Sequence, residues 1–198
     1  MVQETLTKDV LEIRWHGRGG QGAKTAALLL ADAVLSIGKH IQAFPEYGPE
    51  RMGAPVQSYN RISDNPIKLH CGITSPDIVV VLDPSLADVV DVTHGLNPDG
   101  TILVNTEKSP SEMKAKLGLK TQKVYTVDAS RIAIENIGKE IPNTPMLGAL
   151  MKVAGIMDQT KFIEDTKKKL EKKFRTKPEV IEGNIKAITK AFEEVKGE

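Results

Sequence analysis

The chain has 198 residues, of which 40% are hydrophobic and 27% charged, a composition typical of a globular protein rather than a disordered one. The formal net charge of +1 and the 4% aromatic content argue against a nucleic-acid binder. Apolar runs are far shorter than the ~20 residues that a membrane helix needs, and the first ten residues mix charged with apolar ones, so we predict a cytoplasmic chain without a membrane segment.

Strands and helices alternate along the first part of the chain. Residues 10–16 predict a strand that leads into a glycine cluster. Residues 22–37 predict a helix, because helix-forming residues repeat there with apolar rows at i, i+3 and i+4. Short strands are predicted at 41–43 and 56–62, and the segment 44–55, rich in proline and glycine, has the composition of a loop.

Three later segments have the composition of buried strands. Residues 78–82 form a continuous apolar run, and 101–105 and 123–127 are predicted as two further strands. Asp83 and Pro84 follow the first of them as the N-cap and first position of a helix. Further helices are predicted at residues 111–117, 129–139, 146–157, 161–174 and 178–195.

This alternation predicts an α/β fold with three layers, a mostly parallel sheet with helices on both faces, similar to a Rossmann fold. The last quarter of the chain contains only predicted helices. We therefore expect residues 158–198 to form a helical extension that wraps the sheet edge or reaches toward a partner. Internal repeats and linkers are absent from the sequence, so residues 1–198 are predicted to form a single domain.

A glycine-rich loop joins the first predicted strand to the first helix, which is the context in which a GxGxxG pattern has meaning. We expect the first glycine to allow a tight turn, the second to let the backbone approach a phosphate, and the third to allow close packing of helix and strand. The start of the helix favours an anion. The loop, a candidate cofactor-binding or anion-binding site, consists of Gly17, Arg18, Gly19, Gly20, Gln21 and Gly22.

Two alternatives to this anion site stay open. A dinucleotide site requires an acidic residue about 20 residues after the glycines, at the end of the second strand, and residues 39–44 contain none. The loop could also be a strand-to-helix turn that simply requires glycines. Arg18 and Gln21 favour a binding role over a bare turn, which gains nothing from a guanidinium and an amide.

The proline-rich loop concentrates carboxylates, a phenol and a guanidinium in a few residues. Such a set could perform acid–base chemistry, but tyrosine and arginine are also favoured anchors of protein interfaces. We prefer the interface. The predicted interface loop consists of Glu46, Tyr47, Gly48, Pro49, Glu50 and Arg51.

The chain has one cysteine, Cys71, and four scattered histidines. An iron–sulfur cluster held by cysteines needs four thiolates, so this chain cannot hold one. The spacing of the histidines does not indicate a metal site. We predict no metal site in this chain, and we expect Cys71 to be a buried structural thiol.

Five motifs are found together in this chain: GRGGQG at 17–22, EYGPERMGAPV at 46–56, IVVVLD at 78–83, ILVN at 102–105 and NTPMLGAL at 143–150. Their combination resembles the gamma subunit of 2-oxoacid:ferredoxin oxidoreductases. The form of the second motif is similar to that of the pyruvate enzymes. The resemblance covers residues 10–155, and the chain beyond residue 157 carries no motif of this kind.

The resemblance implies a complex that cleaves a 2-oxoacid with thiamine diphosphate and Mg²⁺, passes electrons through iron–sulfur clusters to ferredoxin, and forms an acyl-CoA. It also implies alpha, beta and delta subunits as partners that carry these cofactors, whereas this chain would have no catalytic residues of its own. Its glycine loop would contact CoA or another anion. Three alternatives remain: an independent nucleotide-binding oxidoreductase, a gamma subunit for a different 2-oxoacid, and an architectural subunit that binds no small molecule.

Overall fold

The computed structural model describes residues 10–46 and 53–198. The strands in these ranges are β1 (Val10–Arg18), β2 (His40–Pro45), β3 (Pro55–Ser63), β4 (Ile78–Val81), β5 (Thr101–Asn105), β6 (Lys123–Val127) and β7 (Lys196–Gly197). The α-helices are α1 (Ala23–Ser36), α2 (Pro110–Lys116), α3 (Ala129–Ile137), α4 (Asn143–Ala154), α5 (Gln159–Lys173) and α6 (Pro178–Glu194). A 3₁₀ helix (Pro84–Asp88) follows β4.

The strands form one mixed sheet in the order β2-β3-β1-β4-β5-β6-β7. The four central strands, β1, β4, β5 and β6, run parallel to one another. At the edges, β3 pairs antiparallel with β1 and β2, and β7 pairs antiparallel with β6. A parallel pair needs a crossover of a dozen or more residues, and the connection between β2 and β3 is too short for one. The predicted α/β class is confirmed, with the parallel strands at the centre of a mixed sheet.

Helices cover both faces of the sheet, as predicted. On one face, α1, α4 and α6 pack against Trp15, Val80 and Leu103, all of them fully buried. On the other face, the 3₁₀ helix and α2 pack against Val79 and Val81. Because successive residues of a strand point to opposite faces, the continuous apolar run of β4 packs against the helices on both faces of the sheet.

The segment predicted as a helical extension is built into this core. In α6, Ala187 and Ile188 are fully buried, and β7 adds an edge strand to the sheet. A Cβ atom at Gly148 of α4 would collide with the backbone carbonyl oxygen of Ile188, so only glycine permits this close approach of α4 and α6. No helix within the described residues is long and apolar enough to cross a membrane. The division into one domain stays a prediction.

The predicted helix start after β4 is confirmed: Asp83 is the N-cap of a short 3₁₀ helix and Pro84 is its first residue. Two other local expectations were wrong. Helix α4 begins at Asn143 and ends before Gly155, whose φ of 57° is the left-handed conformation that commonly terminates a helix. Cys71 is exposed rather than buried, because its segment of the chain forms no strand that could pack it against the core.

Candidate functional site

The glycine loop lies at the carboxyl end of β1, where α1 begins. Gly20 and Gly22 have φ values of 100° and 84°, so the left-handed turn falls on these two residues. A Cβ atom at Gly22 would also lie 2.5 Å from Nδ2 of Asn143. A Cβ atom at Gly17 would lie 3.3 Å from Ala23 and Leu82, so the first glycine also allows close packing, whereas the turn expected there falls on Gly20 and Gly22.

Arg18 ties this loop to two other segments. Its Nε forms a salt bridge with Asp83 (3.0 Å), its Nη2 donates to Oγ of Ser85 (2.9 Å), and its Nη1 donates to the carbonyl oxygen of Gly53 (3.1 Å). All three nitrogens of the guanidinium are therefore used by internal contacts. Arg18 positions the loop through three of its five N–H groups.

Gln21 completes this internal network. Its Oε1 accepts a hydrogen bond from the backbone N–H of Arg18 (2.8 Å), and its Nε2 donates to Oδ2 of Asp83 (2.8 Å). Burial alone would raise the pKa of Asp83, but hydrogen bonds from Ser85 and Gln21 and the charge of Arg18 lower it below its ordinary value. Asp83 is therefore ionised, and its carboxylate accepts hydrogen bonds from both Arg18 and Gln21.

A cavity of about 340 Å³ lies at the start of α1. Its walls include the glycine loop, Lys24 and Thr25 of the first helical turn, Glu46, and Ser58 of β3. Helix α1 begins at Gly22 without a side-chain cap among the described residues. Its first backbone N–H groups and the positive end of its dipole make this cavity suitable for an anion.

Glu46, the first residue of the predicted interface loop, also lines this cavity. Its carboxylate accepts a hydrogen bond from the Tyr59 hydroxyl (2.5 Å), and its backbone N–H donates to Gln57 (3.1 Å). Burial and the contact with Glu46 raise the pKa of Tyr59, so this hydroxyl stays protonated and donates. Glu46 is thus held in place by β3.

The other residues of the predicted interface loop, Tyr47, Gly48, Pro49, Glu50 and Arg51, lie outside the described residues. The chain on either side of them is described. The backbone N–H of Gly19 donates to the carbonyl oxygen of Ala54 (2.9 Å), and that of Gly53 donates to Gly19 (3.1 Å). The structure therefore brings the end of the proline-rich segment against the glycine loop, two motifs that are more than 30 residues apart in the sequence.

Sequence reasoning missed a buried polar cluster on β1. Nε of Arg14 donates to Nε2 of His16 (2.9 Å), and its Nη2 donates to the carbonyl oxygens of Val92 (3.2 Å) and His94 (2.6 Å). Burial, and then the charge of Arg14, lower the pKa of His16 to about 3, so the ring is neutral and accepts. The alternation of Arg14 and His16 along a strand was the available signal, since alternate residues share a face.

Arg61 of β3 forms a second buried cross-link. It is 1% exposed, and its Nε forms a salt bridge with Glu12 (2.9 Å) while its Nη2 donates to the carbonyl oxygen of Gly72 (3.0 Å). These contacts hold the segment after β3 against the sheet. Within residues 10–46 and 53–198, no group of three His, Cys, Asp or Glu side chains is arranged to hold a metal ion.

Comparison with known proteins identifies relatives along almost the whole chain. The family described as "Pyruvate ferredoxin/flavodoxin oxidoreductase" matches residues 12–194. The "Pyruvate synthase subunit PorC" of Thermotoga maritima is 47% identical over 193 residues, which cover 96% of this chain and 97% of the relative. The "Pyruvate/ketoisovalerate oxidoreductases common subunit gamma" of Pyrococcus abyssi is 49% identical over 184 residues, covering 93% and 96%.

A solved structure has the same fold. The crystal structure of the pyruvate oxidoreductase subunit PORC from Thermotoga maritima superposes with a TM-score of 0.82. It is 45% identical in sequence, and the match covers 96% of this chain and 99% of that one. The similarity therefore includes the C-terminal segment in which the sequence offered no motif.

Proposed function

The chain belongs to the pyruvate ferredoxin/flavodoxin oxidoreductase family, and we propose that it is the gamma subunit of a multi-subunit pyruvate:ferredoxin oxidoreductase. The assembled enzyme converts pyruvate, CoA and oxidised ferredoxin into acetyl-CoA, CO₂ and reduced ferredoxin. The observation that carries this proposal is the 47% identity to a pyruvate synthase subunit along nearly the full length of both chains.

In this complex the chain supplies an assembly domain without catalytic residues. Thiamine diphosphate, Mg²⁺ and the iron–sulfur clusters belong to the alpha, beta and delta subunits, and ferredoxin accepts the electrons of the complex. The cysteine count supports this division, because Cys71 is the single cysteine of the chain and a cluster needs four thiolates.

We further propose that the glycine loop presents the start of α1 to a phosphate of CoA. Gly20 and Gly22 of the loop are in left-handed conformations and carry no side chain. Lys24 adds a positive side chain at the cavity wall, which Glu46 also lines. Arg18 and Gln21 hold the loop in shape through Asp83, and Arg18 also lines the cavity.

The name of the Pyrococcus abyssi relative favours a second candidate function. That protein is described as a subunit common to pyruvate and ketoisovalerate oxidoreductases, and it is 49% identical to this chain. The chain could accordingly serve two complexes that accept different 2-oxoacids. Purification of a tagged chain from its own cells, with ferredoxin reduction assayed on pyruvate and on ketoisovalerate, distinguishes one complex from two.

Purification also tests the assignment as a subunit. We expect the tagged chain to co-purify with larger, brown, cluster-bearing chains that reduce ferredoxin in the presence of pyruvate and CoA. The chain isolated alone should be inactive. Robust oxidation of NAD(P)H by the isolated chain would overturn the proposal in favour of an independent nucleotide-binding oxidoreductase.

The CoA contact is tested separately in the assembled enzyme. Lys24→Glu reverses the charge at the wall of the cavity, and we expect the KM for CoA to rise by about tenfold, the equivalent of ~1.4 kcal/mol of binding. Lys161→Glu is the matched control, because Lys161 is an exposed lysine in the first turn of α5. Equal CoA dependence in both variants and the wild type would remove the CoA contact from this cavity.

A further inference from the structure

A second cavity, which the proposed function does not use, lies between α1, α5 and α6. Its volume is about 760 Å³, within the range of ~300–1,000 Å³ that small-molecule sites occupy. The connection between α3 and α4 closes one end. Apolar side chains from all of these segments line it: Leu28, Leu29, Ile137, Ile141, Leu170 and Val180. Leu28 and Ile141 are 46% and 36% exposed, so part of this apolar surface faces solvent.

Positive charge surrounds this apolar wall. Lys139, Lys169, Lys172 and Lys177 line the cavity, whereas Asp32 is the single acidic residue among its described lining. The four lysines come from three separate segments of the chain. The fold thus gathers ammonium groups around an apolar surface, an arrangement that complements a molecule with an apolar body and a negative charge.

The Nζ atom of Lys169 is the most informative group in the cavity. The atom itself is shielded from solvent, although the side chain as a whole is 32% exposed, and no acceptor among the described residues lies within hydrogen-bond distance. The nearest oxygen of its ion-pair partner, Oδ2 of Asp32, lies 3.6 Å away, which is too long for a hydrogen bond. Burial lowers the pKa of Lys169, and the carboxylates of Asp32 and Asp165 offset only part of that effect. A buried donor of this kind is stabilised by an acceptor from outside the chain.

We propose that this cavity binds a small amphiphilic organic anion. The apolar body of the ligand packs against α1 and the start of α6, and its phosphate or carboxylate accepts hydrogen bonds from Lys169. Lys139, Lys172 and Lys177 are exposed and supply additional attraction at the mouth. Since several cations act on one anionic group, a dianionic phosphate binds more tightly than a carboxylate of the same chain length.

This site is distinct from the cavity at the glycine loop. Thr25 lines both cavities, but Lys24 lines only the first and the four lysines line only the second. The proposal therefore does not depend on the assignment as a gamma subunit, and it can be tested on the full 198-residue chain without partners.

Calorimetric titration of the full chain with three probes of equal apolar length provides the test. Octyl phosphate, nonanoate and 1-octanol all carry an octyl chain and differ in the charge and chemistry of the head group at pH 7. We expect saturable one-to-one binding with affinity falling in that order, and octyl phosphate at least about tenfold tighter than octanol. The proposal is overturned if neither anion binds saturably, or if octanol binds as tightly as octyl phosphate.

Two variants and a control locate the binding. Lys169→Met keeps the apolar stem and removes the ammonium, and Leu28→Glu places a negative charge on the exposed wall; each should weaken octyl phosphate binding by about tenfold or more. Lys167→Met, an exposed lysine of the same helix outside the cavity, should leave the affinity unchanged. Thermal unfolding midpoints check that all three variants are folded. Wild-type affinity in both folded cavity variants would overturn the proposal.

Discussion

Gln21 donates a hydrogen bond from Nε2 to Oδ2 of Asp83, 2.8 Å away, and so joins the glycine loop after β1 to the end of β4. The same oxygen accepts from Nε of Arg18. A carboxylate of the chain itself thus organises the two long side chains that the sequence places inside the loop. The loop is positioned before any ligand arrives, which lowers the entropic cost of binding one.

The first prediction concerns the stability that Asp83 contributes. Asp83→Ala removes a carboxylate that is 17% exposed and leaves Arg18 and Gln21 without their shared acceptor. We expect the free energy of unfolding in urea to fall by about 1.5–3 kcal/mol at pH 7, the usual range for hydrogen bonds to a charged group. Asp88→Ala is the matched control: Asp88 pairs with Lys116 but is 60% exposed, so its loss should cost about 1 kcal/mol or less.

The same variant should show a pH dependence of known sign. The pKa of Asp83 is lower in the folded chain than its ordinary value, so its stabilising contribution is complete above that ordinary value of ~3.9 and is lost as the pH falls through the folded value. The difference in unfolding free energy between wild type and Asp83→Ala should therefore shrink below about pH 4. A difference that stays constant in acid would mean that Asp83 acts through packing.

The second prediction concerns His16, which is 2% exposed and has a pKa of about 3. Between pH values of about 3 and the ordinary histidine pKa of ~6.5, His16 is protonated in the unfolded chain and neutral in the folded chain. The free energy of unfolding therefore falls as the pH falls through this range. We expect the wild type to lose about 1 kcal/mol more unfolding free energy than His16→Gln between pH 6 and pH 5. Glutamine keeps an acceptor for Arg14 but does not titrate. Equal slopes for the two proteins would contradict a depressed pKa.

The third prediction concerns the packing of α4 on α6. Gly148→Ala would normally favour a helix by about 1 kcal/mol. Here the new Cβ would lie 2.9 Å from Cα of Ile188 and collide with its carbonyl oxygen, so we expect a net loss of about 1–3 kcal/mol of unfolding free energy. The control is Gly72→Ala, whose Cβ would meet no described atom within 4 Å. A stabilised Gly148→Ala variant would show that the two helices can move apart freely.

The sequence predicted most of the fold because its local signals agree with one another. The apolar run of β4 and the glycines after β1 can each be recognised from a few consecutive residues. The antiparallel edges were harder, since the pairing of β3 with both β1 and β2 depends on contacts between distant segments. Gly148 belongs to the NTPMLGAL motif. The contact that requires glycine at this position is with the backbone of Ile188, which lies 40 residues further along the chain.

The binding role of the glycine loop stays a prediction. The sequence favoured such a role because of Arg18 and Gln21, and the structure shows both side chains hydrogen-bonded to Asp83 of the same chain. From the sequence, Asp83 can be recognised only as a helix N-cap. Its contact with Gln21 joins residues 62 positions apart, and no local sequence pattern indicates such a contact. The four lysines of the second cavity likewise come from three segments that meet only in the folded chain.

The last prediction concerns the interface loop. We expect the segment that contains Arg51 to contact another subunit beside the glycine loop, because the described residues Gly53 and Ala54 that follow it are hydrogen-bonded to Gly19. An interfacial arginine pairs with carboxylates in a planar, bidentate manner and is a frequent energetic anchor. Arg51→Ala should leave the unfolding free energy of the isolated chain within ~0.5 kcal/mol, as an ordinary surface change does. Its affinity for the other subunits should fall by about tenfold or more, the equivalent of ~1.4 kcal/mol, in a pull-down titration.

The control is Arg175→Ala, which removes an exposed arginine after α5 and should assemble normally. A destabilised isolated chain that still assembles would make Arg51 an internal support and remove the loop from the interface.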